Sequence, residues 1–464
     1  MVVAKCRLDM RIMKNNFLAS VQLLYIFLMA QGSHAQDKRT SLRSYPSVFQ
    51  AWNPIENKPD KSELELMAKH DLVFGATWAM RLVWQITEDH PYKGLSTVLM
   101  DKDGKTSLKE AQNRRARLRK LNPNLKLLCE IRYREGRFVT LKKKVNLWRQ
   151  AAYPSNSKFW LKDKKGKYCP GWGEDKDGDG KVELNEIDYM LVDFRNPKLH
   201  EIIANKALAL KKSGVFDGIM LDWWDEDSAT TSRWPNGDGT HLTRDDEQAA
   251  RIAMLRKIRE KVGNKFLIIV NSNYRTVPQS APFVNGLFME CWKSKYNEGY
   301  NINQIKKMET TLLWAEKNLK EPRINCLEGW RVVTAYTGDQ KVRVQERNFK
   351  INQKWMRMIT TLSLTHSNGY VLFTDDNAMP APDHLHNWYD FWDADLGQPL
   401  LPSKKQKDGS FRREFSNGTV IYNTLGNTNV SVLFEEVRRS AATSIKGKRH
   451  SVSAGDGDIF LKVP

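Results

Sequence analysis

Asp222 and Glu290 are the acidic side chains whose surroundings best suit chemistry. Each ends a short apolar run: Phe216, Ile219, Met220 and Leu221 lead to Asp222, and Leu287, Phe288 and Met289 lead to Glu290. Runs of this kind fit strands buried on both faces. Two carboxyl groups flanking one bond are what glycosidic cleavage needs, because its transition state is oxocarbenium-like and one group must protonate the departing oxygen. Glu290 precedes Cys291 and Trp292, so apolar and aromatic atoms should surround it and raise its pKa, which suits a general acid. Asp222, in a Trp-rich loop with donors nearby, suits the ionised nucleophile, although residue types alone also allow the two roles exchanged. A plainer reading stands beside this one, with Asp222 capping a helix or bound to a nearby Arg and Glu290 paired to Arg132 or Lys293. Asp225, Glu226 and Asp227 read as a solvated loop face.

Strand ends that bring such groups together are those of a (β/α)8 barrel, where functional side chains collect at the C-terminal face. Eight apolar stretches qualify: residues 71–78, 124–133, 189–194, 216–222, 266–273, 286–292, 331–336 and 369–375. Between them, Asn196-Pro197 starts a helix that Gly214 closes, and Thr243 with Asp246 opens another that Gly263 closes. Around the acidic pair, Trp78, Trp223 and Trp292 offer stacking faces for a sugar ring. Asp193, Asn271, Asn273 and Asp375 offer hydroxyl partners. Arg132 or Tyr336 would hold an anionic substituent or the nucleophile. From about residue 396 to 464, short β-rich runs with Asn417-Gly418 and Asp456-Gly457 turns predict a small antiparallel all-β domain.

The order DF-RNP-helix-GVFDGIMLDWWDED, followed by an apolar strand ending in Glu290, is similar to the hypothetical glycoside-hydrolase-like TIM barrels. These are distant relatives of endo-α-1,4-polygalactosaminidases and α-galactosidase-type barrels. The resemblance covers roughly residues 45–395. It implies a strand-four Asp as nucleophile and a strand-six Glu or Asp as acid/base, which fall on Asp222 and Glu290, and the β domain fits the family's usual companion. A non-catalytic carbohydrate-binding protein on the same barrel is the alternative.

Lys5, Arg7, Arg11 and Lys14 precede an apolar run at 17–30, and Ser33-His34-Ala35 gives small residues at a cleavage point. This reads as a signal peptide over 1–35, with export to the periplasm or outside the cell, and no membrane attachment after cleavage. The barrel then occupies 36–395. The formal charge of +20 falls to +17 once 1–35 is removed with those four cations and Asp9. No nucleic-acid module is recognisable, and in that compartment a basic surface favours an anionic glycan or merely solvates the protein. It opposes a cationic galactosamine polymer. Cys129, Cys169, Cys291 and Cys326 are widely spaced, with neither a disulfide framework nor a zinc pattern. Cys129 and Cys291 read as packed thiols, and one bridge through Cys169 or Cys326 is open.

A second signal lies in 175–186, DKDGDGKVELNE. Asp175, Asp177, Asp179 and Glu186 supply carboxylates at positions 1, 3, 5 and 12 of an EF-hand loop. Gly180 makes the sharp turn, the Lys181 carbonyl serves position 7, and Glu183 acts through water. Five clustered carboxylates repel one another unless a cation sits among them, so Ca²⁺ is expected here as a structural ion, with none needed for catalysis. Saturating calcium should therefore stabilise the protein. At one hundred times its Kd the gain is about 2.7 kcal/mol, read as a melting-temperature rise of several degrees that a chelator reverses and Glu186→Gln abolishes.

Overall fold

The computed structural model describes residues 43–86, 98–101, 108–138, 145–147, 152–173, 186–227 and 243–463. The expected signal segment 1–35 and all of the calcium loop except Glu186 lie outside these residues. From Ser44 onward the chain forms one compact unit. No helix among the described residues is long and apolar enough to cross a membrane.

Eight parallel strands follow one another around a single sheet: β1 (Phe49–Ala51), β2 (Leu72–Gly75), β3 (Lys126–Glu130), β4 (Gly218–Leu221), β5 (Leu267–Asn271), β6 (Gly286–Glu290), β7 (Cys326–Trp330) and β8 (Tyr370–Thr374). The sheet closes where Val48 bridges Val371 and the Val371 amide donates to the Ser47 carbonyl at 3.0 Å. Closure leaves no edge strand, and nearly every strand residue is buried, as a barrel wrapped by helices requires. Gly218 opens β4 where any Cβ would strike Leu128 and the Leu267 carbonyl, so only glycine lets the three strands approach. Inside the barrel Phe49, Phe74 and Phe288 pack ring on ring, with centroids 4.9–5.9 Å apart. They form a layer inside the barrel near the C-terminal ends of its strands.

Six of the predicted stretches contain barrel strands, but two do not. Of 189–194 only Met190–Leu191 is strand, and it pairs antiparallel with Glu135–Phe138 outside the barrel. Leu191 packs with Leu161 and Cys169 in a satellite core, while Val192 and Phe194 join the main core. The true first strand, Phe49–Ala51, is too short for periodicity to reveal. The predicted strand at 331–336 lies just past the real β7, CLEGW, whose central Glu328 disguises a fully buried strand. Arg331 follows the last register pair of β7 with β8, Trp330 and Thr374, and its guanidinium enters a buried ion cluster. Asp375, with no exposed surface, is held there by Arg331, Arg343 and Arg347, and Glu346 and Glu56 complete the charge balance.

The helices start and stop as their caps dictate. Asn196 caps Pro197–Ser213, which Gly214 ends at φ +69°, and Thr243 with Asp246 forms a capping box on Arg244–Val262. Ile302–Asn318 carries a similar box from Asn301 and Gln304. Cys129, Cys169, Cys291 and Cys326 are all buried, and among the described residues no disulfide joins any two of them, so the bridge left open through Cys169 or Cys326 is not seen there.

Six antiparallel strands between Lys404 and Lys462 form the C-terminal sheet. Its central strand Gly418–Asn423 is buried on both faces. Val420 and Tyr422 join the barrel core, and Ile421 joins a smaller core with Val430, Phe434 and Phe460. The sheet is fastened to the Lys350–His366 helix by a bidentate Arg357–Asp456 pair at 2.7 and 3.0 Å and by Arg413 donating to the Leu364 and Ser367 carbonyls.

Removing one partner of a buried ion cluster leaves the others uncompensated, at a cost of about 3–5 kcal/mol. Asp375→Ala should therefore lower unfolding stability by that amount in a denaturant titration.

Candidate active site

The two predicted acids meet. Asp222 follows β4, Glu290 ends β6, and Asn271, ending the intervening β5, reaches both with one amide nitrogen. It donates to Asp222 Oδ1 and to Glu290 Oε2, each at 2.8 Å. The Asn271 carbonyl oxygen accepts from the Asn273 backbone N–H at 3.2 Å, which fixes the amide with its nitrogen toward the carboxylates. Asn271 is buried, while Asp222 and Glu290 keep partial exposure. The pair therefore faces one opening at the C-terminal mouth of the barrel.

Neighbouring charges set the protonation states. Burial, the largest influence, pushes the Glu290 carboxyl up to about 8; the His384 imidazolium opposes it, and the carboxylates of Glu328, Asp222 and Asp383 reinforce it. Burial and then Glu130 also raise Asp222 above the usual range, against the pull of Arg132 and the Asn271 hydrogen bond. Arg132 lies 3.1 Å from Glu130 and also pairs with Glu135. Burial alone would leave His384 neutral, but Asp383 and Glu328 overcome it and hold the ring protonated. One His384 nitrogen lies 2.8 Å from Glu328, and the other 3.3 Å from Asp383 and 4.0 Å from Glu290. Glu290, Glu328 and His384 offer donor atoms close enough to share a cation. With the imidazole protonated, the trio is a charge cluster in which His384 offsets Glu328 and Glu290.

Backbone strain concentrates here. Of six non-glycine residues with positive φ among the described residues, Trp52, Trp223, Asn273 and His384 all belong to the segments leaving the barrel strands. Each such conformation costs roughly 1–2 kcal/mol. Trp52 donates from its indole to Glu130 at 2.9 Å and stacks on His384, with centroids 4.8 Å apart.

A family model described as hypothetical glycosyl hydrolase family 15 matches residues 119–419, spanning β3 to β8 and both acids. The chain belongs to the hypothetical glycosyl hydrolase family 15. Membership and the barrel together make it a glycosidase-type enzyme, whose relatives act on carbohydrates. No curated protein matches the sequence. Among solved structures it is similar to an α-amylase from Malbranchea cinnamomea (TM-score 0.49, 11% identity, covering 92% of this chain and 97% of that one). It is also similar to the maltogenic α-amylase AmyB from Thermotoga neapolitana (0.48, 11%, 90% and 99%). A third is the glycoside hydrolase domain of PelA from Pseudomonas aeruginosa (0.39, 11%, 73% and 98%).

In this family 15 chain the remaining predicted site residues divide. Arg132 stands beside the pair. Trp223 is half-buried beneath the Arg134 guanidinium, 4.3 Å from its ring, and its carbonyl accepts from the Tyr133 hydroxyl. Trp78, Trp292 and Tyr336 are exposed on segments that follow β2, β6 and β7. Two acids serve elsewhere. Asp193 is chelated by Arg195 at 2.8 and 2.9 Å, and Asp375 is sealed in the arginine cluster, so Asp375 does not reach the opening. The acidic loop is not solvated as expected. Asp225 pairs with Arg275, and Glu226 accepts from Gln279, Ser280 and the Ser280 hydroxyl, which leaves only Asp227 exposed. Sequence reasoning missed Glu130, Glu328, Asp383, His384 and Trp52 as members of the site. Glu328 was readable as a lone acid amid apolar residues, and His384 as part of a His-Leu-His loop after β8.

A carboxyl whose pKa folding raises adds stability below its ordinary value of 4.5, and that contribution is lost as pH rises through about 8. Glu290→Gln should consequently raise the melting temperature by several degrees at pH 9 and leave it nearly unchanged at pH 5, as scanning calorimetry would read.

Proposed function

We propose that the chain is an exported, retaining glycoside hydrolase acting on an oligo- or polysaccharide, with Asp222 as nucleophile and Glu290 as acid/base. The observation that carries this reading is the Asn271 amide donating to both carboxylates. Amide N–H bonds diverge by about 120°, so two linear bonds of this length hold their acceptors roughly 5 Å apart. At that spacing the second carboxylate attacks the sugar directly, whereas inverting enzymes keep a wider gap for water.

Glu290, neutral at neutral pH, gives its proton to the glycosidic oxygen as Asp222 attacks the anomeric carbon. The bond to the leaving sugar breaks and an ester to Asp222 forms. Glu290, now a carboxylate, takes a proton from water, and the water oxygen displaces Asp222. Arg132 and Asn271 favour the ionised form of Asp222 against its burial. The surroundings are acidic, with Glu130, Glu328 and Asp383 against Arg132 and His384, so any anionic substituent of the substrate belongs away from the cleaved residue. The surplus of positive charge lies elsewhere and would attract an anionic polymer to the surface. Calcium in the 175–186 loop, steadying the segment between β3 and β4, and export through the 1–35 signal complete the proposal.

Reducing-end release from a panel of neutral and anionic polysaccharides tests it. Glu290→Gln should lower kcat/KM by about 10²–10⁴-fold, and Asp222→Asn at least as much. The parent profile should fall above about pH 8 as Glu290 ionises, and fall on the acidic side as Asp222 protonates above the ordinary aspartate range. Glu290→Gln should lose the alkaline limb. Activity indifferent to both substitutions contradicts the assignment, and glycan binding without hydrolysis favours a carbohydrate-binding protein instead.

A further inference from the structure

We propose that a lysine hairpin at residues 161–169, together with the exposed rings of Phe138 and Tyr168, docks an anionic polysaccharide away from the two acids. This rests on the carbohydrate reading but not on the roles given to Asp222 and Glu290. Residues 101–167 hold twenty-one lysines and arginines against six acids, a net +15 within the +17 left once 1–35 is removed. Part of that charge is already neutralised inside the fold. Arg114 pairs with Glu63, Arg115 with Asp217, and Arg132 and Arg134 with Glu135. The hairpin differs. Lys162, Lys164, Lys165 and Lys167 are all exposed, and among the described residues none of them meets a carboxylate.

Local bonds keep these charges in one place. Lys162 bridges Tyr168 antiparallel, Gly166 takes the turn at φ +79°, and Asp163 Oδ1 accepts from the Lys165 and Lys167 N–H groups at 2.8 Å each. An Asp bonded to the amides that follow it fixes a turn. At the base, Leu161 and Cys169 pack on Leu191, which also bonds through its backbone to both arms. Four ammonium groups within six residues repel one another, and a polyanion laid across them relieves that repulsion. Charge that served only to solvate the protein would gain nothing from such crowding.

The rings make the partner a sugar polymer. Phe138 and Tyr168 are 43% and 36% exposed, with centroids 5.1 Å apart. Buried Trp160 supports Phe138 at 4.7 Å and is itself backed by Tyr153 at 5.2 Å. The Tyr168 hydroxyl donates to the Ser155 carbonyl, and the Lys162 ammonium lies 4.9 Å from the Tyr168 ring centroid. An aromatic face beside an ammonium suits a uronate or sulfated pyranose, which offers a C–H face and a negative substituent. The strand Glu135–Phe138 leads there from Glu135, the partner of Arg132. Three residues of strand span about 10 Å, so the platform is set apart from the acidic opening yet keeps a docked polymer near it.

The test measures binding of the full chain carrying Glu290→Gln to labelled polygalacturonate and dextran sulfate, with neutral dextran and inorganic polyphosphate for comparison. At least one anionic glycan should bind and neutral dextran should not, with affinity falling steeply as added salt screens the lysines. Polygalacturonate alone assigns the partner to uronates and dextran sulfate alone to sulfated chains, and either supports the platform. Lys164→Gln, Lys165→Gln and Lys167→Gln together should weaken binding at least ten-fold. The same change at Lys404, Lys405 and Lys407, an exposed trio on the C-terminal sheet, should weaken it less than two-fold. Tyr168→Ala should weaken the glycan but not polyphosphate, which has no ring to stack, while Tyr168→Phe binds as the parent and all variants keep its melting temperature. Equal losses from the two lysine trios, indifference to Tyr168→Ala, or no binding of either anionic glycan overturns the platform. Failure of the hydrolase reading looks different: docking by a parent that cleaves no glycan removes the catalysis and keeps the platform. Cleavage of an anionic polymer with KM unchanged by the 164, 165 and 167 substitutions removes the platform and keeps the catalysis.

Discussion

The Asn271 amide is the constraint on which the site depends. Were both acids ionised, two carboxylates roughly 5 Å apart would repel by about 3 kcal/mol at an effective dielectric constant near 20, and the Asp222 charge helps keep Glu290 protonated. One buried nitrogen with two N–H bonds offsets part of that repulsion and sets the distance between them. Its orientation is fixed in turn by the Asn273 backbone, which holds a left-handed conformation to deliver that N–H. The spacing of the two acids is thus a property of β5, the strand between those that carry them. Because β4, β5 and β6 are hydrogen-bonded neighbours in one closed sheet, the amide cannot shift without disturbing the barrel wall.

The wider cluster follows from the same crowding. Glu290 and Glu328 are register partners on adjacent strands, and Glu130 comes from β3 across the mouth. So many acids near one opening require cations, and Arg132 and His384 supply them. His384 is held by Trp52 on one side, above the Phe288 and Phe74 layer that fills the barrel. Burial and uneven charge raise Glu290 further than its own surroundings would suggest from sequence. The strained residues Trp52, Trp223 and His384 fit this picture, since strain is tolerated where the surrounding structure over-determines the geometry.

The barrel and its acidic pair were legible because buried parallel strands read as continuous apolar runs, and both acids directly follow or end such runs. The capped helices at 197–213 and 244–262 were equally plain, since each has its own stop signal in Gly214 or Gly263. What was not legible depended on partners distant in sequence. Nothing local to Asp375 separates a sugar-binding carboxylate from one sealed by Arg331, Arg343 and Arg347. Asp193 was read as ending a barrel strand although its stretch belongs to an excursion, and β7 was displaced by five residues because Glu328 interrupts its apolar pattern. Asp225 and Glu226 misled in the opposite direction, as an acidic run reads as solvated until Arg275 and the Ser280 turn are found against it.

The stereochemistry of hydrolysis tests the central claim most directly. Proton NMR of the anomeric signals in the first minutes of cleavage, on whichever polysaccharide of the panel is hydrolysed, reports whether water entered from the same or the opposite face. Acids held together by one amide predict a product with the anomeric configuration of the substrate. An inverted product would contradict the account, because it requires a water molecule between two carboxyl groups that Asn271 holds too close to admit one.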